Sequence, residues 1–272
     1  MATIVILEHA LQRHVDLPYM VKLFAGRWRA RGHTVVVHHG AENPPPGDLA
    51  ILHVDLTVVP KEYCALVARY PRVINGNVFD VSKSRVSRDL VRPHTIWRGP
   101  VIVKTEANFG GKPEQLFRSV AAEQGARSDI PAGPVAENYP IYDSMSAVPD
   151  MVWRTPGLVV EKFLPERDER GDYYVRVWTF FGDRERSVRW RAAEPIVKAG
   201  NMLGRDSVGV PEEIRARRAE LGFDFGKFDY LRHGERWVLL DANRTPSAPA
   251  QRDGPIAAAI AELGDGIESY LR

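Results

Sequence analysis

Across residues 1–80 the chain alternates short β-branched runs with amphipathic stretches, and this pattern narrows the fold more than any other feature. Thr3–Leu7 (TIVIL) reads as a buried strand. Pro18–Arg31 opens with proline and sets Met20, Leu23, Phe24 and Trp28 near helical spacing until Gly32 stops it. Strands are expected over His33–His38, Leu49–Val54 and Arg72–Ile74, and a helix over Lys61–Tyr70 with Cys64 as a small buried residue. Alternation of this kind predicts a small layered α/β domain. No Gly-x-Gly-x-x-Gly follows the first strand, which argues against a dinucleotide site.

From residue 81 the texture changes. A linking helix is expected over Val81–Val91, ending before Pro93. GPVIVKTEANFGGKPEQLF then reads as strand, glycine turn and helix, and residues 125–157 read as a long loop with little periodicity. Leu158–Phe163 is a strand. Hairpins are expected for Tyr173–Phe181 with Ser187–Arg191, and for Phe228–Leu231 with Trp237–Asp241. Helices cover Pro211–Leu221 and Pro255–Leu271. The domain reading is therefore 1–80, 81–160 and 161–272.

Formal net charge is only +2, so bulk electrostatics gives no case for nucleic acid or an anionic membrane. One cysteine permits no intrachain disulfide and fits a reducing compartment. The apolar run at the N-terminus is too short for a signal peptide core, and no stretch approaches a membrane span. The expectation is a soluble, cytoplasmic protein.

Chemistry concentrates in three segments. In WVLLDANRTPS, Asp241 and Asn243 are two apart on a strand and face the same way, and the preceding strand carries Asp229. Two carboxylates and an amide oxygen form a hard-ligand set suited to magnesium on phosphates. Hairpin register decides whether Asp229 joins them, and the sequence does not fix it; strand-end carboxylates capping turns are the plain alternative. In GPVIVKTEANFGGK, Lys104 ends an apolar strand before a glycine loop whose N–H groups suit phosphate, or which is simply a turn. In LVVEKFLPERDERGDYYVRVWTF, a strand end runs into Glu161, Lys162, Phe163 and Leu164, a segment able to present backbone groups to an adenine edge. Arg176 follows in an otherwise apolar strand and needs a partner or a phosphate. Trp178 and Trp190 suit core packing or stacking. His9, His14, His38, His39 and His53 lack metal-ligand spacing and read mostly as surface or turn residues, though His9 and His14 follow the first strand, where α/β domains expose a binding edge.

The order of these segments resembles the ATP-grasp superfamily, nearest to the ribosomal-modification and glutathione-synthetase-like carboxylate–amine ligases. Over about residues 80–272 the family's terminal pattern, an acidic residue followed by Glu-x-Asn and a Thr/Ser-Pro turn, corresponds to FDYL and LLDANRTPS. The resemblance implies an α/β (α+β) fold in which two α+β subdomains clasp ATP behind a small N-terminal α/β domain. It implies that Lys104 and Lys83 contact the nucleotide, and that Asn108, Phe109, Gly110 and Gly111 form a closing loop. Glu161 accepts from the adenine amino group, with Lys162, Phe163 and Leu164 as the hinge. Asp229, Asp241 and Asn243 hold magnesium, while Arg176, Arg189, Arg191 and Lys198 lie where cations meet the phosphoryl group. Asp241 stands where the family has the longer glutamate. The implied reaction activates a small-molecule carboxylate as an acyl phosphate for transfer to an amine, and a homodimer is within the family's range. A phosphotransferase, a non-catalytic ATP-binding protein and an α/β protein without nucleotide are the alternatives.

Overall fold

The computed structural model describes residues 1–249 and 254–271. Strands β1 (Thr3–Glu8), β2 (Thr34–His39), β3 (Leu49–Leu52) and β4 (Val73–Ile74) form a parallel sheet in the order β2-β1-β3-β4. Strand alternation gives this sheet two apolar faces. Ile4 and Ile6 pack under helix α1 (Met20–Ala30), whereas Val5 and Leu7 pack toward helix α2 (Lys61–Val67). Cys64 lies on the exposed side of α2 instead of being buried, because Tyr63, Leu66 and Val67 take the core-facing positions.

Residues 81–91 do not form one helix. Helix α3 (Lys83–Val86) is a single turn, and the chain then extends into β5 (Leu90–Val91). The reason is pairing: β5 joins β8 in a sheet of order β5-β8-β6-β7, with β6 at Val101–Thr105, β7 at Ile141–Tyr142 and β8 at Leu158–Lys162. Helix α4 (Lys112–Glu123) covers this unit's join to the first domain through Phe117, which packs in the α2 cluster. The 125–157 stretch is not wholly irregular, since it holds β7 and the short helix α5 (Asp150–Arg154). Both are too short to leave a periodic signature.

The third sheet is antiparallel: β9 (Glu166–Arg167), β10 (Tyr173–Phe181), β11 (Arg184–Ala192), β12 (Gly204–Ser207), β13 (Phe225–His233) and β14 (Arg236–Asn243), with the main path β12-β11-β10-β13-β14. One face buries Trp178, Phe180, Phe228 and Tyr230 against helix α6 (Glu212–Leu221). At one end of the opposite face, Phe181 and Phe225 meet Phe24 and Trp28 of α1, which fixes the first domain onto the third sheet. The C-terminal segment is two helices, α7 (Pro255–Ala261) and α8 (Glu268–Leu271), joined by a 3-10 turn.

That turn carries Asp265, which receives a two-pronged contact from the Arg27 guanidinium at 2.5 and 2.7 Å and a third from Arg31 at 2.8 Å. The Arg27 hydrogen bonds, against a smaller opposing effect of burial, hold the Asp265 carboxyl below its usual value. A depressed folded-state value contributes stability at neutral pH that is lost as the pH falls through the carboxylate range. Asp265→Asn is therefore expected to lower the neutral-pH melting temperature and flatten the acid limb of the stability profile, as read by melts across pH. An unchanged acid limb would mean that other carboxylates set it.

Candidate functional site

Cross-strand partners share a face of a sheet, and the hairpin register settles what the sequence left open. Val177 pairs with Asp229, and Asp229 pairs with Asp241 across β13 and β14. The next row sets Thr179 beside Lys227 and Lys227 beside Asn243. Asp229, Asp241, Lys227 and Asn243 therefore occupy one patch on the face away from α6. A β-bulge follows Asp229, so the pairing shifts by one residue just beyond the two carboxylates.

The second sheet closes over this patch. Val101, Val103 and Val160 point into its own core, leaving Ile102, Lys104 and Glu161 on the other face. One cleft is lined by Lys83, Lys104, Glu161–Leu164, Lys198, Asp229 and Asp241, together with Ile102, Val175, Val177, Leu231 and Tyr139. The Lys104 ammonium is paired with the buried Glu161 carboxylate. Lys83 reaches Asp241 at 2.5 Å, and Lys227 reaches Asp229 at 3.0 Å. Burial works against charge on Asp241, but Lys83 and then Lys227 outweigh it and hold its carboxyl below the ordinary value. Asp229 goes the other way: burial raises it, and Lys227 only partly offsets this.

At the hinge, the Lys162 N–H donates to the Asp89 carbonyl and the Phe163 N–H to the Pro100 carbonyl, both at 2.9 Å. The Leu164 N–H has no protein acceptor among the described residues. It borders a cleft with apolar walls, an arrangement that suits a flat heterocycle carrying a ring nitrogen acceptor.

Other expected residues lie elsewhere. Arg176 is on the opposite face of β10, because Val175 and Val177 take the cleft side. Its guanidinium is held by Glu166 and stacks over Trp237 at 4.9 Å. Arg189 and Arg191 follow the same alternation and pair with Asp206 and Asp172. The expectation that these three arginines meet the phosphoryl group is thus corrected. Trp178 is core, whereas Trp190 is on the cleft side. Asn243 shares the patch but its Oδ1 accepts from the Thr245 N–H at 2.8 Å and the Thr245 hydroxyl at 3.3 Å, closing an Asx turn. Asn108–Gly111 form a turn in which Phe109, Gly110 and Gly111 all have positive φ. A Cβ on Gly110 would sit 2.3 Å from the Ala136 carbonyl oxygen, so the close packing of that loop requires glycine. The turn does not line the cleft, and Phe109 is exposed.

Sequence reasoning passed over Lys227 and Tyr139. Lys227 was findable, since it is two residues before Asp229 on the same strand. Tyr139 sits in a stretch without periodicity and left no signal.

The donor set fits a divalent cation. Asp229 Oδ1 is buried without a hydrogen-bond partner among the described residues, directly across the hairpin from a second carboxylate. No group of three His, Cys, Asp or Glu side chains that could hold a metal occurs among the described residues, so Asp229 and Asp241 are the acidic ligands such an ion would have here.

No protein-family model and no curated protein sequence matches the chain. Solved structures do. The ATP-grasp ligase PsnB, in complex with a minimal precursor, is similar at 12% identity over 99% of this chain and 98% of its own, with a TM-score of 0.54. A RimK domain ATP-grasp protein from Sphaerobacter thermophilus is similar at 14% identity over 98% of this chain and 100% of its own, with a TM-score of 0.51. Likeness along the whole of both chains, joined to a parallel N-terminal sheet and two further sheets facing across a cleft, identifies the architecture: this chain has the ATP-grasp fold.

Proposed function

We propose that this protein is a magnesium-dependent carboxylate–amine ligase that uses ATP to activate a small-molecule acid. The observation that carries the reading is the Asp229–Asp241 pair, set in the same cleft as Lys104 and the Leu164 N–H, which has no protein acceptor among the described residues. A PsnB structure with a minimal precursor, Mg and ADP, similar at a TM-score of 0.50, supports ATP and magnesium as the bound species.

In this reading the adenine edge meets the Glu161–Leu164 hinge, with Ile102, Val175 and Leu231 against the ring. Lys104, Lys83 and Lys198 supply positive charge to the phosphates. Asp229 and Asp241 would hold magnesium, which would supply charge neutralisation to the phosphates. The loop at 108–111 covers the cleft once nucleotide is bound. The acid's carboxylate oxygen attacks the γ-phosphorus and ADP leaves; an amine then attacks the acyl carbon and expels phosphate. Phosphorylation matters because oxide is a poor leaving group and phosphate a good one. Lysines around the cleft stabilise the transferring group, and exclusion of water protects the acyl phosphate. We assign the protein to the cytoplasm. Among the described residues no helix is long and apolar enough to cross a membrane.

The test is a co-substrate screen of small acids and amines, read out as ADP release, with hydroxylamine added to trap an acyl intermediate. A ligase gives ADP release that depends on both co-substrates and a hydroxamate product. ADP release with one hydroxyl co-substrate and no hydroxamate would replace this reading with a phosphotransferase.

A further inference from the structure

Cross-strand partners sort the cleft face of the third sheet into rows of different chemistry. Nearest the hinge, Trp190 pairs with Val175, and Leu231 joins Leu164 and Val238 in an apolar cluster. The next row is Val188, Val177, Asp229 and Asp241. One row further, about 7 Å along the strands, stand Arg186, Thr179, Lys227 and Asn243. Beyond them Phe181 and Phe225 pack on Phe24 of α1. The third row is thus polar on every strand it crosses, between a carboxylate pair and an aromatic seal.

Within that row Lys227 and Asn243 are engaged, whereas Thr179 and Arg186 are not. Lys227 is paired with Asp229 at 3.0 Å, and the Asn243 side-chain oxygen closes its turn with Thr245. Thr179 is only 6% exposed, yet its hydroxyl makes no hydrogen bond among the described residues. Arg186, its cross-strand partner on β11, is half-buried and has no carboxylate or carbonyl partner among the described residues. Arg176, Arg189 and Arg191, on the other face of the sheet, are each held by a carboxylate. Arg205 is also unpaired among the described residues, but it is exposed and stands beside Trp190 at the hinge end. A buried hydroxyl beside a guanidinium, both with N–H or O–H groups to donate, matches an anionic oxygen. A cation is disfavoured, because Arg186 and Lys227 share the row.

The row's place along the strands selects the anion. Phosphoryl transfer sets the attacking and leaving oxygens roughly in line on opposite sides of phosphorus. With the base at the hinge and the phosphates at Asp229 and Asp241, ADP departs toward Leu231, and the nucleophile approaches from the side of Thr179. We propose that Thr179 and Arg186 form the seat of the acid substrate, holding one oxygen of its carboxylate while the other attacks the γ-phosphorus. The attacking oxygen supplies the electron pair of the new P–O bond. The bond from γ-phosphorus to the β–γ bridging oxygen breaks, and its electron pair leaves on ADP. The guanidinium fork and the hydroxyl both donate to the held oxygen, which fixes the direction of attack. Calling the ligand a substrate rests on the ligase reading; the seat's affinity for a carboxylate does not.

The experiment titrates the full chain with acetate, propionate and succinate, with and without a non-hydrolysable ATP analogue and magnesium. Acetamide, propionamide and succinamide are the uncharged controls, inorganic phosphate is the competitor, and saturation-transfer NMR reads binding. Carboxylates are expected to bind and amides to fail. Arg186→Gln should weaken binding about tenfold or more, and Thr179→Val about threefold to tenfold. Arg186→Lys should recover part of the loss, and Arg189→Gln, on the opposite face of the same strand, should bind as the wild type does. Melting temperatures with and without the analogue check that each variant is folded. The proposal is overturned if no carboxylate binds, or if Arg186→Gln binds as tightly as the wild type. It is also overturned if phosphate binds more tightly than every carboxylate, which would make the row part of the phosphate site. Carboxylate binding without a thermal shift from ATP–magnesium counts against the ligase reading and leaves the seat standing. A thermal shift without carboxylate binding removes the seat and leaves the nucleotide site.

Discussion

Asp241→Asn is expected to lower ATP-dependent turnover by on the order of a hundredfold or more, the largest effect of any single substitution in the cleft. The side chain has two tasks. It faces Asp229 across the hairpin, and it neutralises Lys83, whose side chain is only 6% exposed. Asparagine keeps the shape and one oxygen but removes the charge. The proposed metal pair then has one carboxylate, and that one is raised by burial and so is the poorer anion. The Lys83 ammonium meanwhile loses its counter-ion. Breaking one side of a buried pair costs about 3–5 kcal/mol, so stability falls together with activity. The two effects separate by measurement. Turnover is followed as ADP release with co-substrates at saturation, and stability by urea unfolding without nucleotide. Asp241→Glu, which restores the charge on a longer side chain, should recover stability more fully than turnover. Wild-type turnover in Asp241→Asn would remove Asp241 from the metal site and with it the core of the proposed function.

Much of this site was legible in the residues, for physical reasons. Period-2 alternation and the spacing of Asp229, Asp241 and Asn243 are local properties of strands, so WVLLDAN and KFDYL announce their faces. The apolar run into Glu161 likewise announced a strand end, and β8 ends at Lys162. What the sequence withheld is register and partner choice. Arg176 reads as a cation in need of an anion, and it found one in Glu166 of β9, not in a nucleotide. A two-residue strand gives no pattern to detect. Asn243 matches the position of a metal ligand, but the Thr245 that follows it competes for the same oxygen. The 81–91 segment has helical composition, yet an available strand edge overrides that preference. His53 looks like a surface residue until β3 carries it into the space between Tyr19 and Phe225.

Arg244→Met should have the largest effect on stability. Arg244 directly follows β14 and is 1% exposed. Its guanidinium donates to the carbonyls of Val78, Val54 and Leu56 at 2.6, 3.0 and 2.5 Å. Burial pushes its pKa down to about 10, with Asp55, Asp80 and Glu114 opposing, so it stays protonated at neutral pH. Methionine fills much of the volume but leaves three buried acceptors without donors. Each such group costs about 1–3 kcal/mol, against the recovered cost of burying the charge. A net loss of about 3–5 kcal/mol follows, a large fraction of the roughly 5–15 kcal/mol that holds a typical domain. The consequence reaches the cleft because those carbonyls flank a loop whose Thr57 hydroxyl accepts the Asn108 N–H at 2.7 Å. Slack at Arg244 therefore loosens the glycine turn from β14. Urea unfolding should show the full stability loss, and the fraction that remains folded should show a raised KM for ATP with a smaller change in kcat. A loss under about 1 kcal/mol would mean that water reaches those carbonyls, and that the join between the first domain and the third sheet is held by the Phe24, Phe181 and Phe225 contacts instead.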